Sequence, residues 1–342
     1  MIGTSQASRR DRVRTIVLVG ATGFIGSAVL SALRNAVVEG AHPKAGEWRV
    51  RAVARRLPVG GEAMTGVEWV RADLAAPASL RGICDDAEVL LHAASYVGSD
   101  EAACEDVNLQ GTAALMAEAT GAGVERIILM STAAVYGPGP HRGVRVGEVT
   151  PRPVSPASRT RLGAENFVLD VGGVVLRPGL VLGGGDRWVV PALAELLRHV
   201  PARWDGGRGL LSVTAVEDLA RLTVAAALAR DLPERTIHHA GHPTPVRNGD
   251  LMRVLAQEGV LPPLPEEDLP WDTCLDRLSA AGSGVSARQF ALLAQDHYYR
   301  SDETWRAVDC PPGPGPLERL PAAAEWYREH LSATEVLSGE SA

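Results

Sequence analysis

Long apolar runs alternate with amphipathic segments along the first half of the chain. The runs RTIVLVG, WRVRAVARR, VEWVRADL, AEVLLHAA and RIILMST are apolar enough for strands buried on both faces of a sheet. Between them, GSAVLSALRNAV and a segment from about Glu101 to Ala122 have helical spacing, and ASLRGICDD predicts a short helix. Strands that alternate with helices predict an α/β fold with a doubly wound parallel sheet and right-handed crossovers.

The second half is more irregular. Two proline- and glycine-rich loops, YGPGPHRG and TPRPVSPAS, precede the predicted helix SRTRLGAENFVLD, for which Ser158 is the predicted N-cap. Further predicted elements are a buried strand in GGVVLRPGLVLG, a strand in GLLSVTAV, and helices in WVVPALAELLRHV, VEDLARLTVAAALAR and LERLPAAAEWYREHL. We predict a disordered lead-in at 1–12, a nucleotide-binding domain at 13–183, and a small C-terminal substrate lobe at 184–342, interleaved with the sheet.

Composition narrows the class of partner. The 342 residues have a formal net charge of −7 and a pI of about 5.8, which argues against nucleic acid or an anionic membrane as the main partner. No apolar run is long enough to span a bilayer, and the polar N-terminus lacks the apolar core of a signal peptide. We therefore predict a cytoplasmic protein. The four cysteines are scattered without metal-ligand spacing, so neither a metal site nor a disulfide framework is expected.

The segment GATGFIG, residues 20–26, lies between a predicted strand and a predicted helix. In that setting Gly20 permits a tight turn, Gly23 lets the backbone approach a pyrophosphate, and Gly26 allows close packing of the helix. The helix N-terminus and the intervening Thr22, Phe24 and Ile25 would then face the phosphates. The alternative is a glycine-rich turn without a ligand.

The end of the second predicted strand indicates which dinucleotide would bind. A carboxylate there contacts the ribose 2′-hydroxyl of NAD, whereas AVARR ends in Arg55 and Arg56. A guanidinium suits a 2′-phosphate, which favours NADP(H) over NAD. The alternative is that both arginines are ordinary surface residues. Asp73 is placed either to contact adenine or to cap the strand end.

Several further motifs resemble one family. They are ADL ending at Leu74, HAA at residues 92–94, VN at 107–108, STAAVYG at 131–137, LRP at 176–178 and VEDLA at 216–220. With GATGFIG, they resemble the extended short-chain dehydrogenases/reductases, which include nucleotide-sugar epimerases, dehydratases and ketoreductases. The resemblance covers most of the chain and implies a Rossmann-type fold. It also implies cofactor contacts from Leu74, Ala93 and Ala94.

The resemblance also implies catalytic positions, and one of them is altered. Thr132 matches the family's Ser/Thr that hydrogen-bonds the substrate carbonyl, and Tyr136 is the tyrosine of VYG. The family's acid–base Tyr and Lys lie four residues apart on the helix that ends in Ala-Glu, which places Ala157 and Arg161 there. Arg161 keeps a positive charge for the nicotinamide ribose, but a methyl group donates no proton.

The missing proton donor leaves several replacements open. Tyr96, Tyr136, His141 and a bound water are the candidates. The Lys-to-Arg change itself has little weight, because Lys44 is the single lysine of a chain rich in arginine. That composition suits a GC-rich genome and natural-product biosynthesis.

A second departure concerns the substrate. Many nucleotide-sugar members of the family carry an Arg-Asp pair before V-x-D-L-A, where this chain has Leu211-Ser212; Arg208, Arg187 and Arg177 are the candidate replacements. The resemblance implies an NADP(H)-dependent 4-ketoreductase or epimerase of a nucleotide-activated deoxysugar, such as a dTDP-sugar, in antibiotic biosynthesis. A tailoring enzyme on a polyketide-type substrate and a non-enzymatic NADP-binding sensor are the alternatives. A homodimer through the helices at 101–122 and 158–170 is the expected assembly.

Overall fold

A computed structural model of the chain describes residues 13–38, 48–58, 66–229, 231–282 and 285–339, so the predicted lead-in at 1–12 lies outside the described residues. The strands are β1 (Arg14–Val19), β2 (Trp48–Ala54), β3 (Val67–Arg71), β4 (Ala87–His92), β5 (Arg126–Met130), β6 (His141–Val144), β7 (Val174–Arg177), β8 (Leu180–Leu182), β9 (Arg203–Trp204), β10 (Leu210–Leu211), β11 (Val213–Ala215), β12 (Ile237–His239), β13 (Val246–Arg247), β14 (Asp268–Leu269) and β15 (His297–Tyr299). The α-helices are α1 (Phe24–Leu33), α2 (Glu101–Cys104), α3 (Gly111–Gly121), α4 (Pro156–Asp170), α5 (Val189–His199), α6 (Val216–Leu228), α7 (Asn248–Gln257), α8 (Trp271–Ala280), α9 (Ala287–Ala294), α10 (Asp302–Ala307) and α11 (Pro316–Gly339).

The chain divides into two compact units, each built from three segments. The first unit takes residues 1–131, 155–176 and 223–236, and the second takes residues 132–154, 177–222 and 237–342. The sequence predicted a single boundary at residue 183 between a nucleotide-binding domain and a substrate lobe. That the two parts bind cofactor and substrate stays a prediction. No helix of the described residues is long and apolar enough to cross a membrane.

The first unit is built on a parallel sheet. Within it the strands follow the order β7-β5-β4-β1-β2-β3, and every pairing is parallel. The central strands are almost wholly buried, which explains their continuous apolar sequences. The doubly wound α/β fold class is therefore confirmed. Because β2 and β4 flank β1, the strand order reverses there, and the carboxyl ends of β1 and β4 form the crevice where such sheets bind ligands.

Two helices of the first unit differ in detail from the predictions. The helix predicted at 101–122 is continuous from α2 to α3, but residues Glu105–Gln110 between them form a π-helical turn. The predicted helix in ASLRGICDD is only a 3₁₀ turn at Pro77–Leu80. It ends because Arg81 is extended, and Gly82 follows with φ of +76°, a conformation that no helix continues.

The helix α4 begins earlier than predicted. Ser155, not Ser158, is the N-cap, and its hydroxyl accepts a hydrogen bond from the Ser158 backbone N–H at 3.2 Å. Pro156 occupies the first helical position, where its fixed φ suits the helix and its missing N–H costs nothing. The predicted N-cap was therefore wrong by three residues, because the proline had been assigned to the preceding loop.

The second unit has small sheets around its own core. Its largest sheet includes β13, β10, β15 and β6, and its apolar core comes from α5, α7, α8, α9 and α11 around Trp204 and Phe290. The predicted single strand in GGVVLRPGLVLG is two strands, β7 and β8, because Pro178 has no backbone N–H to continue a ladder. GLLSVTAV is likewise split into β10 and β11.

A buried carboxylate ties two helices of the second unit together. Asp218 of α6 is 1% exposed, and its Oδ1 accepts hydrogen bonds from Arg221 at 2.9 Å and from Arg319 of α11 at 2.8 Å. The acidic residue of the VEDLA motif is therefore part of the packing of this unit.

Candidate functional site

The glycine-rich turn is built as the sequence predicted. β1 ends at Val19, the turn follows, and α1 begins at Phe24 with Gly23 at its N-cap and no side chain capping it. The first N–H groups of a helix have no partners within the helix, so α1 presents donors and a positive dipole end there. The Gly23 N–H itself donates to the Gly20 carbonyl at 3.0 Å, which closes the turn.

Each glycine of the turn has its own steric reason. Gly20 has φ of +90°, and a Cβ on it would lie 2.7 Å from the Ala94 nitrogen. A Cβ on Gly26 would overlap the carbonyl of Gly20 and lie 2.8 Å from its carbon. At Gly23 the nearest described atom to such a Cβ is the Gly20 oxygen at 3.3 Å, so protein packing alone does not demand a glycine there. A pyrophosphate close to the backbone does demand it, and the turn therefore fits a dinucleotide.

The arginines at the end of β2 lie next to this turn. The Val53 carbonyl accepts hydrogen bonds from the N–H groups of Gly20 at 3.0 Å and Ala21 at 3.2 Å. Arg55 and Arg56 follow two and three residues later, and both are exposed. Two permanent cations thus stand at the edge of the predicted cofactor site, and no acidic residue accompanies them between 52 and 58.

Asp73 has a local partner at the end of β3. Its carboxylate accepts a hydrogen bond from the Ala75 N–H at 3.0 Å, and Ser79 bonds its backbone N–H at 2.9 Å. These contacts fit the alternative of a strand-end cap, and a contact with adenine stays a prediction. Its neighbour Leu74 is buried, and a Cβ on Gly111 would lie 2.6 Å from the Leu74 Cβ. Leu74 therefore packs against α3.

The residues after β4 close on the glycine turn. The Ala93 N–H donates to the Val19 carbonyl at 2.9 Å, and Ala94 is the residue that a side chain on Gly20 would strike. Ala93 and Ala94 are partly exposed. The structure therefore brings the predicted contacts after β1, β2 and β4 to one edge of the sheet.

A cleft of about 220 Å³, a volume that includes solvent at its mouth, opens at this edge of the first unit. Its lining residues come from the ends of β4 and β5 and from α3, α4 and the π-helical turn: His92, Ala94, Ser95, Asn108, Thr112, Leu129, Met130, Ser131, Arg161 and Ala164. Of these residues, Ala94 and Arg161 were predicted from the sequence to belong to the site. The motifs HAA, VN and STAAVYG contain His92, Asn108 and Ser131, for which no role was predicted.

Arg161 provides the positive charge of the cleft. Its guanidinium donates to the Met130 carbonyl at 3.0 Å, at the carboxyl end of β5. Burial lowers its pKa to about 10, and the carboxylate of Glu165 partly offsets that effect. Arg161 is therefore still a cation at neutral pH. Glu165, one turn further along α4, is 1% exposed and accepts a short hydrogen bond from the Ser131 hydroxyl.

His92 is a neutral side chain beside that charge. It is 2% exposed, and burial, with a smaller contribution from Arg161, lowers its pKa to about 4. Its Nε2 lies 3.0 Å from the Thr112 hydroxyl, while its Nδ1 has no hydrogen-bond partner among the described residues. A neutral imidazole leaves Arg161 as the charged group at this wall of the cleft.

Asn108 holds the loop that follows β4. Its Oδ1 accepts the Tyr96 N–H at 2.7 Å, and its Nδ2 donates to the Tyr96 carbonyl at 2.8 Å and to the Thr160 hydroxyl at 3.1 Å. Asn108 lies in the π-helical turn, an irregularity that recurs at functional sites. Ala157, one turn before Arg161, is partly exposed.

Thr132 belongs to the second unit and begins a 3₁₀ turn at Ala133–Tyr136. Its hydroxyl oxygen accepts a hydrogen bond from the Ala134 N–H at 3.1 Å. That contact uses a lone pair and leaves the hydroxyl proton for an acceptor. Thr132 is partly exposed, so the geometry is compatible with the predicted hydrogen bond to a carbonyl, which stays a prediction.

Tyr136 is buried within the second unit and bonded to a histidine. Its hydroxyl lies 2.7 Å from His239 Nε2, and His239 Nδ1 lies 3.2 Å from the Arg300 carbonyl. Because a carbonyl only accepts, Nδ1 bears the proton, so Nε2 accepts from Tyr136. Burial lowers the pKa of His239 to about 4, so this histidine is neutral. Tyr136 thus already donates its proton, and a catalytic role for it stays a prediction.

His141 lies in the same buried cluster. Its Nδ1 is 2.8 Å from the Tyr299 hydroxyl, and burial lowers its pKa. The Tyr299 ring stacks on Tyr136 at a centroid distance of 5.3 Å. Five aromatic rings, those of Tyr136, His141, His239, His297 and Tyr299, form this cluster, and the guanidinium of Arg177 lies 4.9 Å from the Tyr136 ring centre.

The three arginines predicted to replace the diphosphate arginine each have a different environment. Arg177 is 4% exposed and faces the Tyr136 ring, Arg208 pairs with Asp205 at 3.1 Å, and Arg187 is exposed. The positions aligned with the Arg-Asp pair, Leu211 and Ser212, are both buried. The structure therefore gives no direct substitute at that register.

Residues 16–238 match the model of the NAD dependent epimerase/dehydratase family. A ketoreductase of Stigmatella aurantiaca, which acts on 4-hydroxy-2-methyl-3-oxo-4-farnesyl-3,4-dihydroquinoline-1-oxide by its name, is 31% identical over 226 residues. That match covers 63% of this chain and 64% of the relative, so the chain spans just under two thirds of the relative's length.

Solved structures share the fold over nearly the whole chain. MoeE5, solved in complex with UDP-glucuronic acid and NAD, is 25% identical with a TM-score of 0.69, and the match covers 93% of this chain and 100% of MoeE5. The UDP-glucuronic acid 4-epimerase of Bacillus cereus, solved with NAD, is 19% identical with a TM-score of 0.69, covering 93% and 99%. By sequence match and fold, the chain belongs to the NAD-dependent epimerase/dehydratase family.

Proposed function

We propose that the protein is an NADP(H)-dependent reductase of a ketone. The observation that supports this most is a dinucleotide turn and a cleft with a buried cation, Arg161, at the same edge of one sheet. When bound there, the reduced nicotinamide supplies a hydride. Arg161 would hold the nicotinamide ribose, and the neutral His92 would leave the guanidinium as the dominant charge. Thr132 would hydrogen-bond the carbonyl.

The preference for NADP(H) over NAD rests on Arg55 and Arg56. Charge-assisted hydrogen bonds contribute about 1.5–3 kcal/mol each, which is roughly a ten- to hundredfold change in Kd. We expect the double change Arg55→Ser and Arg56→Ser to raise the Kd for NADPH by at least about tenfold and to leave the Kd for NADH unchanged.

The matched control is Arg81→Ser, which removes an exposed arginine from another turn of the first unit. It should leave the affinities for both nucleotides unchanged. Calorimetric titration of the three proteins, wild type, the double variant and the control, with both nucleotides measures the effect. If the wild type binds NADH as tightly as NADPH, the preference for NADP(H) is wrong.

For the substrate, we propose the 4-keto group of a nucleotide-activated deoxysugar, such as a dTDP-sugar, in natural-product biosynthesis. The family and the nucleotide sugars named for its solved members support this class. Purified protein with NADPH and a dTDP-4-keto-6-deoxyhexose should oxidise the cofactor. No turnover beside an active nucleotide-sugar reductase would contradict the proposal.

A second candidate substrate is a non-sugar ketone of polyketide or quinolone type. It is supported by the burial of Leu211 and Ser212 where nucleotide-sugar enzymes place a diphosphate arginine, and by the ketoreductase relative. Thermal-shift measurements separate the two classes, because a ligand that binds the native state raises its Tm. Stabilisation by dTDP or UDP would favour the sugar, and its absence the non-sugar ketone.

The proposed assembly is a homodimer through the continuous helix at 101–121 and α4. Sedimentation at several protein concentrations tests it. A mass of one chain at every concentration would contradict it.

A further inference from the structure

The position that supplies the acid in the family's tyrosine–lysine pair is Ala157, so another group must protonate the reduced oxygen. The five tyrosines all lie in described parts of the chain. Four of them belong to the second unit. Tyr136, Tyr299 and Tyr327 are buried, and each has a hydrogen bond to another side chain.

Tyr96 is the one tyrosine of the first unit, which contains the glycine turn and Arg161. It follows Ala94 and Ser95, both of which line the cleft, and its side chain is partly exposed. A phenol at this position combines a proton to donate with access to solvent for its return.

Two features fix the place of this tyrosine. Asn108, 3% exposed, bonds both the N–H and the carbonyl of Tyr96, so the backbone cannot rotate without breaking two hydrogen bonds to a buried side chain. The Tyr96 ring lies over Gly98, where a Cβ would be 2.6 Å from the Tyr96 Cζ and would overlap the hydroxyl. Gly98 therefore leaves the space that the Tyr96 ring occupies, and any side chain at position 98 would displace the ring.

We propose that Tyr96 donates the proton during carbonyl reduction and that Asn108 is its positioning residue. This rests on the proposed reductase function. The reduced nicotinamide, whose ribose Arg161 would hold, would supply a hydride to the carbonyl carbon and would itself be oxidised. The C–O π electrons move to oxygen, which takes the proton of the Tyr96 hydroxyl. The resulting tyrosinate is reprotonated by solvent.

The first experiment compares wild type with Tyr96→Phe, which keeps the ring and loses the hydroxyl. General acid catalysis contributes roughly 10²–10⁴ in rate, so kcat should fall by about that factor while the Kd for NADPH is unchanged. Tyr298→Phe, a partly buried tyrosine of the second unit, is the matched control and should keep the wild-type kcat. Adding Ala157→Tyr to Tyr96→Phe should restore turnover. A Tyr96→Phe enzyme within about twofold of wild type would overturn the proposal.

The role of Asn108 is tested by a double-mutant cycle. Asn108→Ala should lower kcat in the wild type but add no further loss in the Tyr96→Phe background, because the residue acts through Tyr96. Equal losses in both backgrounds would show that Asn108 is only structural.

If no ketone is turned over, the proposed reductase function is contradicted. A spectroscopic titration with NADP⁺ then still tests the role of Tyr96. Binding of NADP⁺ should change the ultraviolet absorption of Tyr96, because a donor phenol would lie beside the nicotinamide. The difference between wild type and Tyr96→Phe isolates the signal of this one tyrosine. An absorption difference that NADP⁺ leaves unchanged would overturn the role of Tyr96 independently of activity.

Discussion

Mild acid should destabilise the second unit by charging His239. This imidazole is 2% exposed, accepts the Tyr136 hydroxyl proton, and has a pKa lowered by burial from 6.5 to about 4. Its protonation would remove the acceptor for Tyr136 and add a charge near Arg177. The unfolded chain therefore binds more protons than the folded chain between those two values. The contribution of neutral His239 to the free energy of unfolding is fully present above pH 6.5 and is lost as the pH falls towards 4.

The size of the effect follows from the two pKa values. A histidine that titrates at 6.5 when unfolded and at about 4 when folded loses about 2 kcal/mol of folding free energy between about pH 7.5 and about pH 5. His141 and His297, whose pKa values are also lowered by burial, add losses of the same sign. The total is a large fraction of the stability of a typical domain.

Urea unfolding at a series of pH values measures this in wild type and in His239→Gln. The glutamine variant lacks the titrating group, so its stability should depend less on pH by about 2 kcal/mol over that interval. His242→Gln, outside the aromatic cluster, is the matched control. If His239→Gln and wild type lose the same free energy between the two pH values, the histidine is not held neutral by burial and the reasoning is refuted.

Two further substitutions test the cofactor turn and the packing of the second unit. Gly26→Ala places a methyl group on the Gly20 carbonyl, so we expect loss of NADPH binding by calorimetry and a lower Tm; retained binding would contradict the steric argument. Asp218→Ala leaves Arg221 and Arg319 without their shared carboxylate. Because both arginine side chains are more than a third exposed, the change should cost about 1.5–3 kcal/mol in urea unfolding. A loss below about 1 kcal/mol would show that solvent replaces the ion pairs.

Much of the fold was predictable because its rules are local. Continuous apolar runs predicted strands buried on both faces, and GATGFIG between a strand and a helix predicted the turn with its glycine roles. The boundaries were less certain where two local rules competed. At Ser155 and Ser158 the sequence offers two hydroxyls for one helix cap, and the proline between them suits either the first helical position after Ser155 or a loop before Ser158.

The interior of the candidate site was less predictable, because it depends on which strands and helices become neighbours. His92, Asn108 and Ser131 are far apart in sequence, and only the parallel order of β4 and β5 brings them to one cleft. Asn108 bonds the Tyr96 backbone from a π-helical turn, and the hydrophobic periodicity of the segment did not predict that turn.

The sequence and the tertiary structure decided different properties of this protein. By itself, the sequence determined the parallel sheet, the glycine-rich turn between β1 and α1 and the pair of arginines after β2, because each depends on adjacent residues. It also predicts that Ala157 takes the place of the family's tyrosine. The tertiary structure alone decided which polar groups are buried, and therefore which are neutral. Burial keeps His92 and His239 neutral while Arg161 remains a cation, and Tyr96 follows the cleft-lining Ser95. Burial and partners are properties of the packed chain and not of the order of its residues.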